Sequence, residues 1–539
     1  MLISRRAAVQ SGLLLSGLGL LPASLRAASN SGFTHSVASG DPDLSSVRVW
    51  TRFVSEQAVT LQVEMAESES FASPVFRGTV DAIPSRDFCA QMRAHGLQPD
   101  RRYYYRFLAP DGTSSPIGRT RTLSGSGVER LRMAVMSCAN ATSGWFNAYS
   151  HAAMRDDLDL IVHLGDYIYE SPIDRSDALE ELAIRRGIMP HGEVISLLDY
   201  RMRYASYRAD PALQELHRRH PIIVIWDDHE TANNSWKDGA KNHDPEEGPW
   251  EVRKSAAMQA FYEWLPMEAL PYTSYKIGSL ATLFRLETRL IARSQQLEIG
   301  AEVMNTPDPR AAIEAFVKGP LADPSRTLLG PEQEAWLARG FMEARDQQSR
   351  WQVLLQPVIM ANTQHPKVDA GWFAGGAELS AAQQQQIALA DFLAANGVPL
   401  GLDRWNGYPA ARNRLLSSAQ RAGSNLLVLS GDSHNAWAFD LTHEGQAAGV
   451  EFAGQGVSSL GIDKRFSGDP AHIAQGFLAT DSALRWCDTS QRGYMEVELT
   501  NATAQCKWIF LPSRDQISNE VLSMHTMIAE HGARRLTEA

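Results

Sequence analysis

Asp159-Leu160-Ile161-Val162-His163-Leu164-Gly165-Asp166-Tyr167-Ile168-Tyr169-Glu170 is the stretch from which the fold can be read. Its leucine and β-branched run is short and bounded by a glycine, which suits a buried strand of a covered sheet better than a helix. Open α/β sheets place their chemistry just beyond the carboxyl ends of such strands, so Asp166 and Tyr169 are expected in the site. A strand ending in Gly-Asp is also a common turn device, so the reading rests on repetition elsewhere in the chain.

The arrangement does repeat. Leu131-Arg132-Met133-Ala134-Val135-Met136 reads as a strand delivering Ser137-Cys138-Ala139-Asn140. A helix with the apolar face Phe146, Tyr149, Ala153 and Met154 then leads to the first stretch, which makes a β-α-β crossover. Pro221-Ile222-Ile223-Val224-Ile225 runs into Trp226-Asp227-Asp228-His229-Glu230 and then Asn233-Asn234. Trp351-Gln352-Val353-Leu354-Leu355-Gln356 is a further strand, and Asn425-Leu426-Leu427-Val428-Leu429-Ser430 ends in Gly431-Asp432-Ser433-His434. Consecutive ionisable side chains after a buried strand are costly unless paired or metal-bound, although a water-exposed loop would also hold them. The connection over 174–220 reads as helical, with Arg201, Arg203 and Arg208 near tyrosines. Such a face is ordinarily solvated; the alternative is that one of these arginines reaches an anionic ligand.

The chain has 539 residues, enough for two domains or more. A net charge of −11 argues against a nucleic-acid-binding surface, so an anionic substrate needs its own arginines or metals. Four cysteines in this length are no disulfide scaffold. Cys89 reads as a core residue; Cys487 and Cys506 flank a hairpin and could pair or remain buried thiols. Residues 1–28 read as a removable export signal, with Arg5-Arg6 before a short apolar segment and small residues at its end. Ser4-Arg5-Arg6 resembles a twin-arginine signal, which implies the Tat export machinery as a partner and a periplasmic or secreted product. No other segment is long and apolar enough to be a transmembrane helix.

Residues 31–123 alternate as short strands do, at Ser46-Val47-Arg48-Val49-Trp50, Val59-Thr60-Leu61-Gln62-Val63 and Tyr103-Tyr104-Tyr105-Arg106-Phe107, which argues a β-sandwich. His95-Gly96-Leu97-Gln98-Pro99-Asp100 and the tyrosines after it resemble a fibronectin type III turn and strand, so a small module packed on the larger domain is expected. Ser124-Gly125-Ser126-Gly127 is the joint to a catalytic domain over 128–512, whose last strands are Gly493-Tyr494-Met495-Glu496-Val497 and Gln505-Cys506-Lys507-Trp508-Ile509. In the C-terminal stretch 513–539, Val521, Leu522, Met524, Met527 and Ile528 have helical spacing, so a C-terminal helix is expected, packed on the core or covering the site. The insert 273–330 and the glycine-rich stretch 371–376 carry no legible motif.

The strand ends together present a thiol, a phenol, several carboxylates and an imidazole. That mixture is too varied for a magnesium or calcium cage and wrong for a four-cysteine zinc site. Thiolate and phenolate suit ferric iron, while the remaining carboxylates suit a harder divalent ion, with Asp166 on the central strand as the natural bridge. Two such ions clamp a phosphate, lower the pKa of a bound water or oxide, and stabilise the charge of an in-line displacement.

These residues resemble the alkaline phosphatase D (PhoD-like) family of calcineurin-type metallophosphoesterases. The matching segments are Val37-Ala38-Ser39-Gly40-Asp41-Pro42 with Val49-Trp50-Thr51-Arg52, then Ser137-Cys138, Gly165-Asp166-Tyr167-Ile168-Tyr169-Glu170, Trp226-Asp227-Asp228-His229-Glu230 and Ser430-Gly431-Asp432-Ser433-His434. The resemblance implies export, a small fibronectin type III-like β-sandwich, and an α/β fold in the form of a four-layer α/β/β/α metallophosphoesterase sandwich. It also implies hydrolysis of phosphomonoesters and often phosphodiesters. Relative to the wider superfamily, Cys138 replaces an Asp, Asp228 an Asn and Asp432 a common His, which favours calcium at the second position. Carried over, Cys138, Asp166, Tyr169 and His434 would hold Fe3+, and Asp166, Asp228 and Asp432 would hold Ca2+, one or two ions, with Mn2+ or Mg2+ as substitutes. His229 would be catalytic, beside the phosphate, with Arg201 and Asn234 as candidate substrate contacts. The alternatives are a phosphodiesterase of phospholipase D-like type and, from another class, a binding or adhesive protein with a structural metal site.

Overall fold

The computed structural model describes residues 31–173, 177–374, 379–512 and 516–539. The export-signal stretch 1–28 lies outside them. Alternation in the central strands sets the layers. In the strand Arg130–Met136, Met133 and Val135 point into one core while Ala134 and Met136 point into another. Leu160 and Val162 join the first core and Ile161 the second, because successive strand side chains face opposite sides.

Two sheets meet across the first of these cores. A ten-stranded sheet runs in the order Leu536–Glu538, Ser523–Glu530, Thr503–Leu511, Arg492–Thr500, Arg130–Met136, Leu160–His163, Pro221–Val224, Gly32–Gly40, Ser46–Val54 and Cys89–His95. A seven-stranded sheet contributes Leu283, Val353, Leu355, Leu427 and Leu429 to the same core. The helices Asn147–Ala153, Leu197–Arg208, Pro211–Arg219 and Trp250–Trp264 cover the outer face of the larger sheet. Gly330–Asp346, Pro409–Arg421 and Pro470–Thr480 cover the outer face of the smaller one. The result is α/β/β/α, with each buried Val, Leu or Ile contributing about 1.5–3 kcal/mol. Among the described residues no helix is long and apolar enough to cross a membrane.

The N-terminal sandwich is joined to this body more closely than a module packed against it. Its four-stranded sheet faces Gly32–Gly40, Ser46–Val54 and Cys89–His95 over a core of Val37, Val49, Leu61, Val63, Tyr105 and Phe107. Those three strands are themselves the edge of the ten-stranded sheet, because Ser39 and Gly40 pair in parallel with Pro221 and Ile222. Trp50 Nε1 also donates to the Glu263 carbonyl at 2.8 Å.

Two expectations change. The stretch 513–539 holds no helix among its described residues: Ser523–Glu530 is a strand antiparallel to Thr503–Leu511, followed by the short strand Leu536–Glu538. Met527 and Ala529 are buried while Met524 is 59% exposed, a period of two, and the open sheet edge satisfies the backbone of the segment. Pairing commits it to that edge and not to a cover over the site. Met154 is 55% exposed instead of completing a helix face, since Asn147–Ala153 ends before it. Of the two readings for Cys487 and Cys506, buried thiols hold: both are free, in cores on opposite sides of the seven-stranded sheet.

Candidate metal centre

Three neighbouring parallel strands of the larger sheet, Arg130–Met136, Leu160–His163 and Pro221–Val224, end beside one another. They deliver Cys138, Asp166 and the run Asp227-Asp228-His229. Leu426–Ser430 of the smaller sheet delivers Asp432 and His434. Cys138, Asp166, Asn234, Asp432 and His434 all have φ between +52° and +58°, a left-handed backbone that costs a non-glycine residue roughly 1–3 kcal/mol and concentrates at functional sites. Gly165, at φ +102°, lets the Asp166 loop lie against Asp227, where a Cβ would come within 2.6 Å of the Asp227 Cβ.

Among the described residues the ligand-capable atoms fall into three overlapping groups, each within 4.8 Å: Cys138, Asp166 and His434; Asp166, Asp228 and His229; Asp227, Asp228 and Asp432. Asp166 belongs to the first two and Asp228 to the last two. Tyr169 Oη donates to Asp166 Oδ2 at 2.7 Å, lies 3.2 Å from His434 Nε2, and accepts from Ser459 Oγ at 2.7 Å. The predicted site residues Cys138, Asp166, Tyr169, Asp228, His229, Asp432 and His434 are therefore brought together.

The two substrate-side expectations fare differently. Arg201 pairs through Nε and Nη2 with Glu263, both at 2.7 Å, and donates to the Ser85 carbonyl; its charge is spent between helix and sandwich, away from the centre. Asn234 is at the centre's edge, where its backbone N–H donates to Asp228 Oδ2 at 2.7 Å. Arg203 is structural: it is buried and caps carbonyls of Tyr169, Met189 and Pro190, holding the Tyr169 loop.

Residues that sequence reasoning left unassigned build the frame. Glu230 accepts the backbone N–H groups of Asp166, Tyr167 and Asp227, tying two strand-end loops together. Glu170 accepts from His229 Nδ1 at 2.6 Å and from the Asn233 amide at 2.7 Å. Burial opposes a charge on His229, but Glu170 and then Asp166 and Asp228 outweigh it and hold its pKa well above the ordinary imidazole value. Burial likewise opposes ionisation of Asp228, yet Arg289, His229 and the Asn234 amide hold its pKa below the usual carboxylate range. Arg289 comes from the insert without a motif. The signal was there in a weak form, since it follows Ala281–Arg285, another wholly buried strand.

The donor set fits cations. Asp166 Oδ1 is buried without a hydrogen-bond partner, which a bound ion would relieve. Burial, and then the negative charge of Asp166, raise the pKa of both the Cys138 thiol and the Tyr169 phenol. A highly charged ion reverses that preference, because a coordinating thiol is deprotonated outright. His434 Nδ1 lies 2.7 Å from the Leu460 carbonyl, which directs Nε2 toward Asp166 and Tyr169.

Comparison with known proteins agrees with this fold. Residues 133–508 match the model of the PhoD-like phosphatase family, and residues 20–124 match the PhoD-like phosphatase N-terminal domain. Alkaline phosphatase D of Bacillus subtilis (strain 168) is 34% identical over 472 residues, covering 81% of this chain and 71% of that protein. A solved structure of PhoD superposes with a TM-score of 0.75 at 28% identity, covering 95% of this chain and 92% of that one. A family model spanning most of the chain, a curated relative at 34% identity and a matching fold together identify this enzyme as a member of the PhoD-like phosphatase family.

Proposed function

We propose that the enzyme is an exported metal-dependent phosphatase that hydrolyses phosphomonoesters, and phosphodiesters as well. The observation that carries this reading is Asp166, shared by two cation-capable groups, with a thiol and a phenol on one side and Asp228 with His229 on the other. Cys138, Asp166, Tyr169 and His434 would hold ferric iron, and Asp166, Asp228 and Asp432 would hold calcium, with manganese or magnesium as substitutes. When bound, such a pair of ions polarises a phosphoryl group and acidifies water near it.

The remaining work falls to the chain's own groups. Glu170 fixes the His229 ring through Nδ1 and favours its charged form, so Nε2 is suited to donate a proton to the departing alcohol oxygen. The Tyr169 ring packs against His229 at 4.1 Å between centroids and limits its rotation. The side chains of His229, Asp432 and His434 are 14%, 19% and 22% exposed beside carboxylates almost wholly buried, so the phosphate ester enters from their side. Arg5-Arg6 and the small residues before position 28 support Tat-dependent export to the periplasm or medium.

Metal analysis of the purified protein, paired with hydrolysis of a chromogenic phosphomonoester and the matching diester, tests the proposal. Iron and calcium with turnover of the monoester are expected. No turnover of either ester with both metals present refutes the phosphatase reading. A visible tyrosinate-to-iron absorption band should vanish in Tyr169→Phe; an unchanged band removes Tyr169 from the ligands. Retention in the cytoplasm is expected when Arg5 and Arg6 become lysines.

A further inference from the structure

The third acidic group already has a cation beside it. Arg289 is wholly buried, with Nε 2.5 Å from Asp227 Oδ1, Nη1 2.8 Å from Asp403 Oδ2, and Nη2 3.4 Å from Asp432 Oδ1 and 3.7 Å from Asp228 Oδ1. One guanidinium thus faces four carboxylates supplied by three separate segments. Its own position is held from behind, because its backbone N–H donates to Glu287 Oε1 at 2.7 Å. Buried Arg293 grips Asp403 from the other side, and Arg404 lies 3.6 Å from Asp432 Oδ2. Guanidinium keeps its charge at any pH a protein survives and presents five donors in a fixed fork. A divalent ion drawn to Asp227, Asp228 and Asp432 together would meet this charge within 4 Å of each ligand.

We propose that Arg289 is a built-in cation of the centre: it withdraws Asp227 from the ligand set and excludes a further divalent ion from the Asp227–Asp228–Asp432 group. The centre therefore holds one ion fewer than its acids could bind. Asp228 and Asp432 keep their remaining lone pairs for the calcium position they share with Asp166. Asp227 Oδ2 is left buried without a hydrogen-bond partner, a demand that a cation would meet if Arg289 were neutral. This inference rests on the proposal that the centre binds metal ions.

Calcium per chain, measured by titration calorimetry and elemental analysis on the full-length protein, tests it without reference to activity. Arg289→Met should bind one calcium more than the wild type, and Arg289→Lys, which keeps the charge, should bind the wild-type number. Arg289→Gln carries the same measurement if the methionine variant does not fold. A neutral variant with the wild-type calcium number overturns the proposal, as does a lysine variant that gains an ion. Failure of both neutral variants to fold at any calcium concentration also overturns it, because calcium should take over the guanidinium's role. A wild-type protein that binds no metal would instead defeat the metal-centre reading.

Discussion

Replacing Gly165 by alanine tests the idea that the site depends on two strand-end loops touching. The added Cβ would sit 2.6 Å from Asp227 Cβ and 2.7 Å from Asp227 N, so the opposing atoms are main chain or rigidly attached to it. Relief to an ordinary 3.4 Å contact needs a shift of about 0.8 Å. The left-handed backbone at φ +102° adds roughly 1–3 kcal/mol of strain, and overpacking about 1–3 kcal/mol more. A loss near 4 kcal/mol of stability is expected. Misplacement of reacting groups by about 1 Å can cost 10²-fold in rate, so kcat/KM should fall by roughly 10²-fold. Gly96 supplies the control: its φ is +77° but a Cβ there meets nothing within 4 Å, so Gly96→Ala should cost only the strain and leave turnover intact. Denaturant unfolding and turnover of a chromogenic phosphomonoester read both effects. If Gly165→Ala matches Gly96→Ala in stability and retains wild-type kcat/KM, the close approach of the two loops is not what organises the site.

Arg201→Ala should leave KM unchanged and lower stability by about 2 kcal/mol, since its charged hydrogen bonds go to Glu263; a raised KM would return Arg201 to the substrate. His35, His163 and His220 are buried, and burial first, with nearby arginines at His35 and His220, pushes each imidazole down to about 3. Their unfolded forms bind protons below about 6.5, so the stability they contribute is complete above that pH and is lost as pH falls toward 3. Unfolding free energy should therefore drop between pH 6.5 and 5, less steeply in His35→Gln; an equal slope in that variant refutes the assignment. Calcium at 100 times its Kd should raise unfolding free energy by about 2.7 kcal/mol, an effect absent in Asp228→Asn if Asp228 is a ligand. Reducing agent should not move the melting temperature, because Cys487 and Cys506 are free.

Much of this centre was legible in the chain because buried parallel strands announce themselves as short apolar runs, and their ends fall where side chains can converge. Cys138, Asp166, Asp228 and His434 each stand directly after such a run. The same logic failed for the C-terminal segment. Val521, Leu522, Met524, Met527 and Ile528 satisfy a helical period by spacing alone, but the free edge of Thr503–Leu511 provides eight backbone-paired positions from Thr503 to Phe510. Short apolar clusters fit both periods, and the partner strand decides.

The amino-acid sequence by itself determined which residue types stand at the strand ends. Only the tertiary structure decided that one sheet of the sandwich continues into the catalytic sheet, that Arg201 is spent on Glu263, and that Arg289 lies among four carboxylates. The reason is range. Strand periodicity and turn chemistry act between neighbours in the chain, whereas the charge around Asp227 and Asp228 is set by Arg289, Asp403 and Asp432, which only the packing of the two sheets brings to them.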